Sequence, residues 1–124
     1  MTDRPSLSCI IPTYNRSDYV RECLLALQKS GVSDLEIIVS DDGSTDDTRE
    51  VVETTNLSAK YLWHPNIGAP ATPRNVAFTN SYGRIVGFLD CDDQWIPGMP
   101  AKIVSLFDRY PEVDVIFADA RMGN

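Results

Sequence analysis

Short apolar runs alternate along the chain with segments in which apolar residues recur every three or four positions. The short runs, bounded by proline, glycine or acidic residues, are typical of buried strands, and the longer spacing is typical of helices. The runs predict strands over residues 7–11, 35–40, 59–63, 84–89 and 113–118. The helical spacing predicts helices over residues 18–30, 45–54, 72–80 and 97–110.

Strands and helices that alternate with short connections predict an α/β fold. Such a fold has a mostly parallel sheet, helices on both faces and right-handed crossovers. With 124 residues, of which 43% are hydrophobic, the chain can form one core of ordinary size. We therefore expect a single domain over residues 1–124.

Charge and composition narrow the possible partners. The formal net charge of −7 argues against nucleic acid or an anionic membrane surface as the main partner, because both require a basic face. No apolar run approaches the roughly 18 residues of a membrane helix, and the amino terminus does not resemble a signal peptide. We predict no transmembrane segment and a cytoplasmic location. The full-length protein could also bind peripherally to the inner face of the membrane. Three widely spaced cysteines and one histidine, His64, argue against cysteine- or histidine-rich metal sites.

Acidic residues follow two of the predicted strands. Asp41 and Asp42 come directly after the second strand, and residues 90–93 after the fourth strand read Asp-Cys-Asp-Asp. Because ligands bind in open α/β sheets at the carboxyl ends of the strands, we expect these carboxylates to meet at one edge. Their repulsion is relieved by a hard divalent cation, and Mg²⁺ or Mn²⁺ binds through carboxylates together with substrate phosphates. A D-x-D triplet alone also occurs in solvated turns, but this context favours a metal and ribose site.

The polar segment after the second strand divides into two parts. Ser44 or Thr45 can cap the following helix, and Ser44 with Asp47 has the spacing of a capping box. Asp46 and Asp47 would then interact with the helix dipole and have a structural role. Asp41 and Asp42 precede the cap and face the sheet edge, so one of them is the better candidate for contacting a base or ribose. Gly43 permits a tight turn there.

Two further side chains are candidates for ligand contacts. Arg74, followed by Asn75, lies near the start of a predicted helix, where a loop returns toward the acidic edge. A helical arginine is usually a surface charge, but here it is a candidate for a phosphate or base contact. Tyr14, just after the first strand, could stack on a base, although a tyrosine in that position is as often a packing residue.

Four motifs in order carry a resemblance to a known family. They are residues 10–15 (Ile-Ile-Pro-Thr-Tyr-Asn), residues 38–46 (Ile-Val-Ser-Asp-Asp-Gly-Ser-Thr-Asp), Asn66-Ile67-Gly68 with Arg74-Asn75, and residues 88–93 (Phe-Leu-Asp-Cys-Asp-Asp). Together the motifs resemble family 2 glycosyltransferases of the GT-A fold, a Rossmann-like fold of nucleotide-diphospho-sugar transferases. Each motif is loose alone, but the set spans nearly the whole chain in the expected strand context.

The resemblance implies a nucleotide-diphosphate sugar as the donor, most commonly a UDP-sugar, and Mn²⁺ or Mg²⁺ as cofactor. By similarity, Asp42 would bind the base, Asp90 would approach the ribose and Asp92 would hold the metal, with Asp90 and Asp93 as further metal candidates. The implied nucleotide-sugar site consists of Pro12, Thr13, Tyr14, Asn15, Asp41, Asp42, Arg74, Asp90, Cys91 and Asp92.

The resemblance also implies a single inverting displacement at the anomeric carbon of the sugar. The metal would stabilise the leaving diphosphate, and a carboxylate base would take the proton of the attacking hydroxyl. The acceptor would be a saccharide or a lipid-linked saccharide. The family's base lies beyond the metal triplet, so we expect it beyond residue 124 and leave the catalytic residues unassigned. Asp119 is a poor candidate because it closes the last predicted strand.

We accordingly expect the chain to be a fragment that lacks the acceptor-side half of the enzyme. A module that binds the donor without turnover shares every motif and remains the alternative. A phosphoacceptor receiver domain is disfavoured because its acidic pair should follow the first strand and a lysine the fifth. A dinucleotide-binding domain should show a glycine-rich signature after the first strand, and this sequence has none there. A nucleotidyltransferase stays an alternative, because acidic pairs on α/β sheets also serve that chemistry. That class usually has a glycine-rich basic loop near the first strand, for which Arg16 alone is thin support.

Overall fold

A computed structural model describes residues 4–29, 34–56 and 58–118. In chain order the elements are β1 (Leu7–Thr13), α1 (Ser17–Gln28), β2 (Leu35–Asp41), α2 (Thr48–Thr55), β3 (Lys60–Trp63), α3 (Ala71–Thr79), β4 (Ile85–Phe88) and α4 (Met99–Arg109). The strands pair in parallel in the order β3-β2-β1-β4. The predicted α/β fold with a parallel sheet is thereby confirmed.

The two central strands, β1 and β2, are buried on both faces. Cys9 and Ile11 belong to the cluster that β1 forms with α1, whereas Ile10 packs with Ile38 of β2 and Ala77 of α3 in a second cluster. Because successive side chains of a strand point to opposite faces, helices on both sides require apolar residues at nearly every position. Each fully buried isoleucine contributes about 1.5–3 kcal/mol, so these strands form the stable frame that carries the loops.

The predicted fifth strand at 113–118 is wrong, because that segment has no regular secondary structure. Val115 and Phe117 are 64% and 92% exposed, and within the described part of the chain β4 pairs only with β1. A strand forms only where a neighbouring backbone satisfies its N–H and C=O groups. An apolar run in a sequence does not reveal whether such a neighbour is within reach.

The second helix begins at Thr48, three residues after the predicted start at Thr45. The predicted capping box is absent, because the Ser44 hydroxyl accepts a hydrogen bond from the Asn15 N–H (2.7 Å). The first turn is held by Asp46 instead, whose Oδ1 accepts the Thr48 N–H at 3.1 Å. The structural role predicted for Asp46 is confirmed, while residues 42–47 form an irregular loop rather than helix.

The loops that matter for function leave the sheet at its carboxyl edge. Thr13 and Asp41 end β1 and β2 side by side, and the backbone N–H of Asp42 continues the ladder by donating to the Thr13 carbonyl (2.9 Å). Within the described ranges, none of the helices has the length and apolar content needed to cross a bilayer.

Candidate functional site

A cleft of about 550 Å³ opens at the carboxyl edge of the sheet. Its walls come from the loop after β1, the loop after β2, the segment between β3 and the first turns of α3, and the loop after β4. The lining residues are Pro12, Thr13, Tyr14, Arg16, Asp42, Asn66, Gly68, Ala69, Pro70, Pro73, Arg74, Asp90, Cys91 and Asp92. Segments that are far apart in sequence therefore meet where the parallel strands end, as expected for this class of fold.

Three exposed carboxylates form the acidic part of the site. Asp90, Asp92 and Asp93 each offer an oxygen, and these oxygens all lie within 4.8 Å of one another. A tight turn brings them together, since the Asp93 N–H donates to the Asp90 carbonyl at 2.9 Å. Hard carboxylate oxygens at this spacing fit a divalent cation of the Mg²⁺ or Mn²⁺ type.

Two arginines pair with this acidic cluster. Arg74 Nη2 lies 2.8 Å from Asp90 Oδ1, and its Nη1 donates to the Pro70 carbonyl at 3.0 Å. Arg16 Nη1 lies 3.5 Å from Asp92 Oδ2. The predicted approach of Arg74 to the acidic edge is therefore observed. The cleft combines carboxylates suited to a cation with guanidinium groups suited to phosphate.

Asp42 lies at the back of the cleft and holds the loop after β3. Its carboxylate accepts hydrogen bonds from the Ile67 N–H (3.0 Å), the Gly68 N–H (3.1 Å) and the Asn66 side-chain amide (3.2 Å). His64 Nδ1 lies 3.3 Å from the same carboxylate. The 66–68 segment that resembles a family motif is thus the direct partner of Asp42, and both line the site.

Two candidate residues lie outside the cleft lining. Asp41 is fully buried, where it accepts the Ser44 N–H at 2.9 Å and the Tyr61 hydroxyl. Asn15 adopts a positive φ of 49°, and its Oδ1 accepts the backbone N–H of Thr45 at 2.8 Å. Both side chains hold loops in place behind the site. A nucleotide contact by either residue remains a prediction that this arrangement does not favour.

Tyr14 and Cys91 lie in the cleft in different environments. Tyr14 is 47% exposed, so its ring is open to a flat partner such as a base. Burial raises the pKa of the Cys91 thiol, which accepts a hydrogen bond from the Thr13 hydroxyl (3.7 Å). A thiol buried in this way is disfavoured as a thiolate.

The predicted site residues that the structure brings together in the cleft are Pro12, Thr13, Tyr14, Asp42, Arg74, Asp90, Cys91 and Asp92, with Asp93 beside them in the acidic cluster. The site prediction missed Arg16, Asn66, Gly68 and the residues that follow Gly68 in the loop. Asn66 and Gly68 were visible as a motif, and Arg16 follows the first strand directly. The missing information was which side of each loop faces the cleft.

Comparison with known proteins gives the family. Residues 8–122 match the model of a family described as glycosyl transferase family 2. The GalNAc(5)-diNAcBac-PP-undecaprenol beta-1,3-glucosyltransferase of Campylobacter jejuni is 38% identical over 98 residues, which cover 76% of this chain.

Solved structures of similar proteins agree with that match. S. aureus TarS 1–349 in complex with UDP superposes with a TM-score of 0.80 at 33% identity and covers 86% of this chain. The mannosyltransferase PcManGT of Pyrobaculum calidifontis, in complex with GDP-Man and Mn²⁺, gives a TM-score of 0.68 at 28% identity over 78% of this chain. The likeness to TarS confirms the predicted GT-A fold.

This chain spans about a third of the relatives' own length, namely 32% of the Campylobacter protein and 33% of TarS 1–349. The part that matches contains all four motifs and every element that lines the cleft. Motifs, fold and family match therefore lead to one conclusion: the chain belongs to glycosyl transferase family 2.

Proposed function

We propose that the cleft binds the nucleotide diphosphate of a donor sugar together with a divalent cation, and that the protein transfers the sugar to an acceptor hydroxyl. The observation that carries this proposal is the cluster of three carboxylate oxygens within 4.8 Å, placed in a cleft that also contains two arginines. An acidic cluster repels a diphosphate unless a cation lies between them, so the two ligands are expected together.

The donor would lie across the cleft with its base toward Tyr14 and Asp42. The open ring of Tyr14 offers a stacking surface, and Asp42 holds the backbone of the 66–68 loop beside it. Arg74, anchored on the Pro70 carbonyl, would face the phosphates. We propose a UDP-sugar because TarS 1–349, which resembles this chain most of the way along, was solved with UDP.

Asp90, Asp92 and Asp93 would hold the cation. When bound, a divalent cation supplies Lewis-acid neutralisation of the charge that develops on the leaving diphosphate. Both Mn²⁺ and Mg²⁺ fit carboxylate oxygens, and PcManGT was solved with Mn²⁺. The chain's own residues keep the three carboxylates together through the Asp90–Asp93 turn and pair Asp90 with Arg74.

We propose a single displacement with inversion for the transfer. The acceptor oxygen would bond to the anomeric carbon while the bond to the diphosphate oxygen breaks, and the acceptor proton would pass to a carboxylate base. The acceptor would be a saccharide or a lipid-linked saccharide, because the name of the Campylobacter relative specifies an undecaprenol-linked saccharide. The free and buried Cys9, Cys23 and Cys91 are compatible with a reducing compartment such as the cytoplasm.

A second candidate function is donor binding without transfer. Among the described residues that line the cleft, the carboxylates are already engaged, Asp42 by backbone N–H groups and Asp90 and Asp92 by arginines. None of these carboxylates is unpaired, which favours donor binding over transfer by the described residues. Transfer by this chain alone would contradict the second candidate.

Calorimetric titration of UDP, with GDP and TDP for comparison, tests the proposal with and without Mn²⁺. We expect one diphosphate to bind, to require the metal and to lose most of its affinity in Asp92→Asn. Asp108→Asn is a matched control. Asp108 lies on α4, outside the cleft lining, and its carboxylate is 3.9 Å from the Arg84 guanidinium. If none of the three diphosphates binds in either condition, the proposal is wrong.

A further inference from the structure

Arg16 is held at the junction between the cleft and α1. Its backbone precedes the first turn of the helix, where its carbonyl accepts the Val20 N–H at 3.0 Å. Its guanidinium points into the cleft, 3.5 Å from Asp92, and lies 5.8 Å from the centre of the Tyr19 ring. The Arg16 and Asp92 side chains are 53% and 50% exposed, so the pair borders on solvent.

The two arginines beside the acidic cluster differ in how firmly they are held. Arg74 lies 2.8 Å from Asp90 and has a second hydrogen bond to the Pro70 carbonyl at 3.0 Å. Arg16 makes a longer contact of 3.5 Å to Asp92. Exposed pairs of this length are weak, so Arg16 is the arginine that can leave its carboxylate at little energetic cost.

Arg16 and a divalent cation would compete for the same carboxylate. Asp92 is one of the three residues whose oxygens form the possible metal site, and Asp92 Oδ2 is the atom that faces Arg16. A cation at the cluster would also repel the guanidinium. Once displaced, the guanidinium still lies at the cleft, where its planar set of donors matches phosphate oxygens.

We propose that Arg16 is the counterion of Asp92 in the metal-free cleft and becomes a ligand of the donor diphosphate when a divalent cation displaces it. This inference rests on the proposed function and adds a residue to it. Arg16 would then have opposite effects on the affinities for the two ligands. It opposes binding of the cation alone and favours binding of the diphosphate once the cation is present.

The test uses the opposite effects of Arg16 on cation affinity and on diphosphate affinity. In Arg16→Gln the competitor for Asp92 is gone, so Mn²⁺ alone should bind about threefold to fivefold more tightly. UDP at saturating Mn²⁺ should bind about tenfold more weakly, because a charge-assisted contact to phosphate is lost. Free Mn²⁺ is measured by its electron paramagnetic resonance signal without nucleotide, and UDP binding by calorimetry. A merely structural role would weaken both affinities.

Two variants serve as comparisons. Arg16→Lys keeps the charge but loses the planar fork, so its Mn²⁺ affinity should stay near that of the wild type while UDP binding falls in part. Arg21→Gln is the matched control, because Arg21 lies on the same helix and pairs with Asp18 at 3.3 Å. It should change neither affinity. Circular dichroism establishes that each variant is folded.

The outcomes separate this inference from the proposed function. An unchanged or weakened Mn²⁺ affinity in Arg16→Gln overturns the counterion role. An unchanged UDP affinity at saturating Mn²⁺ overturns the diphosphate contact. If the wild-type chain binds both ligands, these results sink the inference alone. A wild-type chain that binds neither Mn²⁺ nor UDP overturns the proposed function and this inference together.

Discussion

At the scale of single residues, the carboxylate of Asp42 determines how the cleft is built. It accepts hydrogen bonds from two backbone N–H groups, of Ile67 and Gly68, and from the Asn66 amide. Both carboxylate oxygens are used, so a residue with only one acceptor oxygen would leave a donor unpaired. A buried donor without a partner costs about 1–3 kcal/mol.

We therefore expect Asp42→Asn to lower the free energy of unfolding by about 2 kcal/mol, because the new amide group faces N–H donors. The measurement is urea denaturation at pH 7. Asp18→Asn is the control, since Asp18 is 93% exposed and pairs only at the surface with Arg21, so its effect should stay within about 0.5 kcal/mol. Equal denaturation midpoints for Asp42→Asn and the wild type would contradict this role.

At the scale of elements, the loop after β2 and the loop after β3 touch at Gly43. A Cβ built on Gly43 would lie 2.4 Å from the backbone nitrogen of Asn66, and the glycine has a φ of +80°. The site therefore requires glycine for two reasons, the backbone conformation and the space taken by the neighbouring loop. The Asn66–Gly68 segment can reach Asp42 only because no side chain stands at Gly43.

Gly43→Ala should consequently destabilise the protein by more than about 2 kcal/mol, since it adds a backbone clash to the unfavourable φ. Gly98→Ala is a matched comparison, because Gly98 has a φ of +84° but a Cβ added there would meet nothing within 4 Å. That variant should cost only about 1 kcal/mol. Thermal unfolding of the two proteins side by side makes the measurement, and similar losses would mean that the contact with Asn66 does not matter.

Glu36 links three strands near the amino ends of the sheet. It accepts hydrogen bonds from the Ser8 hydroxyl (2.7 Å) and the Tyr82 N–H (2.8 Å), and its other oxygen lies 3.3 Å from Lys60 Nζ. Burial raises the pKa of this carboxyl, but the hydrogen bonds and the Lys60 charge outweigh burial, so the pKa lies below its ordinary value of 4.5. The ionised form is thus favoured by folding.

A lowered pKa in the folded state adds stability that is present above the unfolded-state pKa and is lost as the pH falls through the folded-state value. Glu36→Gln should therefore reduce the free energy of unfolding at pH 7, and the difference from the wild type should shrink below pH 4.5. Urea denaturation between pH 7 and pH 3 tests this. Glu53→Gln is the control at pH 7, because Glu53 belongs to an exposed pair with Arg49 and such pairs contribute little to stability. A difference that grows toward low pH would reverse the assigned sign.

At the scale of the whole molecule, the cleft joins four segments that are distant in sequence. These are the loops after β1, β2 and β4 and the segment that leads into α3. A ligand that contacts all of them binds only the folded chain. Its binding free energy therefore adds to the stability of the entire domain.

At saturating Mn²⁺, UDP at a hundred times its dissociation constant should raise the free energy of unfolding by about 2.7 kcal/mol over Mn²⁺ alone, and the thermal midpoint by roughly 10 °C. Removal of the metal with a chelator should reverse most of this gain. The shift is followed by calorimetry or by circular dichroism at increasing temperature. Asp92→Asn should show little of it, and an equal shift in that variant would argue against a metal at the acidic cluster.

Sequence reasoning succeeded best where burial on both faces dictates residue type. Residues 9–11 and 37–39, at the centres of β1 and β2, are continuously apolar, as a parallel sheet covered on both faces requires. It failed for residues 113–118, whose apolar side chains are exposed instead of paired. The same local pattern fits both outcomes, because pairing depends on a second backbone and not on the segment itself.

The sequence by itself determined that the first four strands alternate with helices, so the loops after these strands meet at the carboxyl edge of a parallel sheet. It therefore predicted that Asp42, Asp90 and Asp92 would share one site. Only the tertiary structure decided that Asp41 turns into the core and that Arg16 faces Asp92. The direction of a side chain in an irregular loop is determined by contacts with other loops, and those contacts do not exist until the chain has folded.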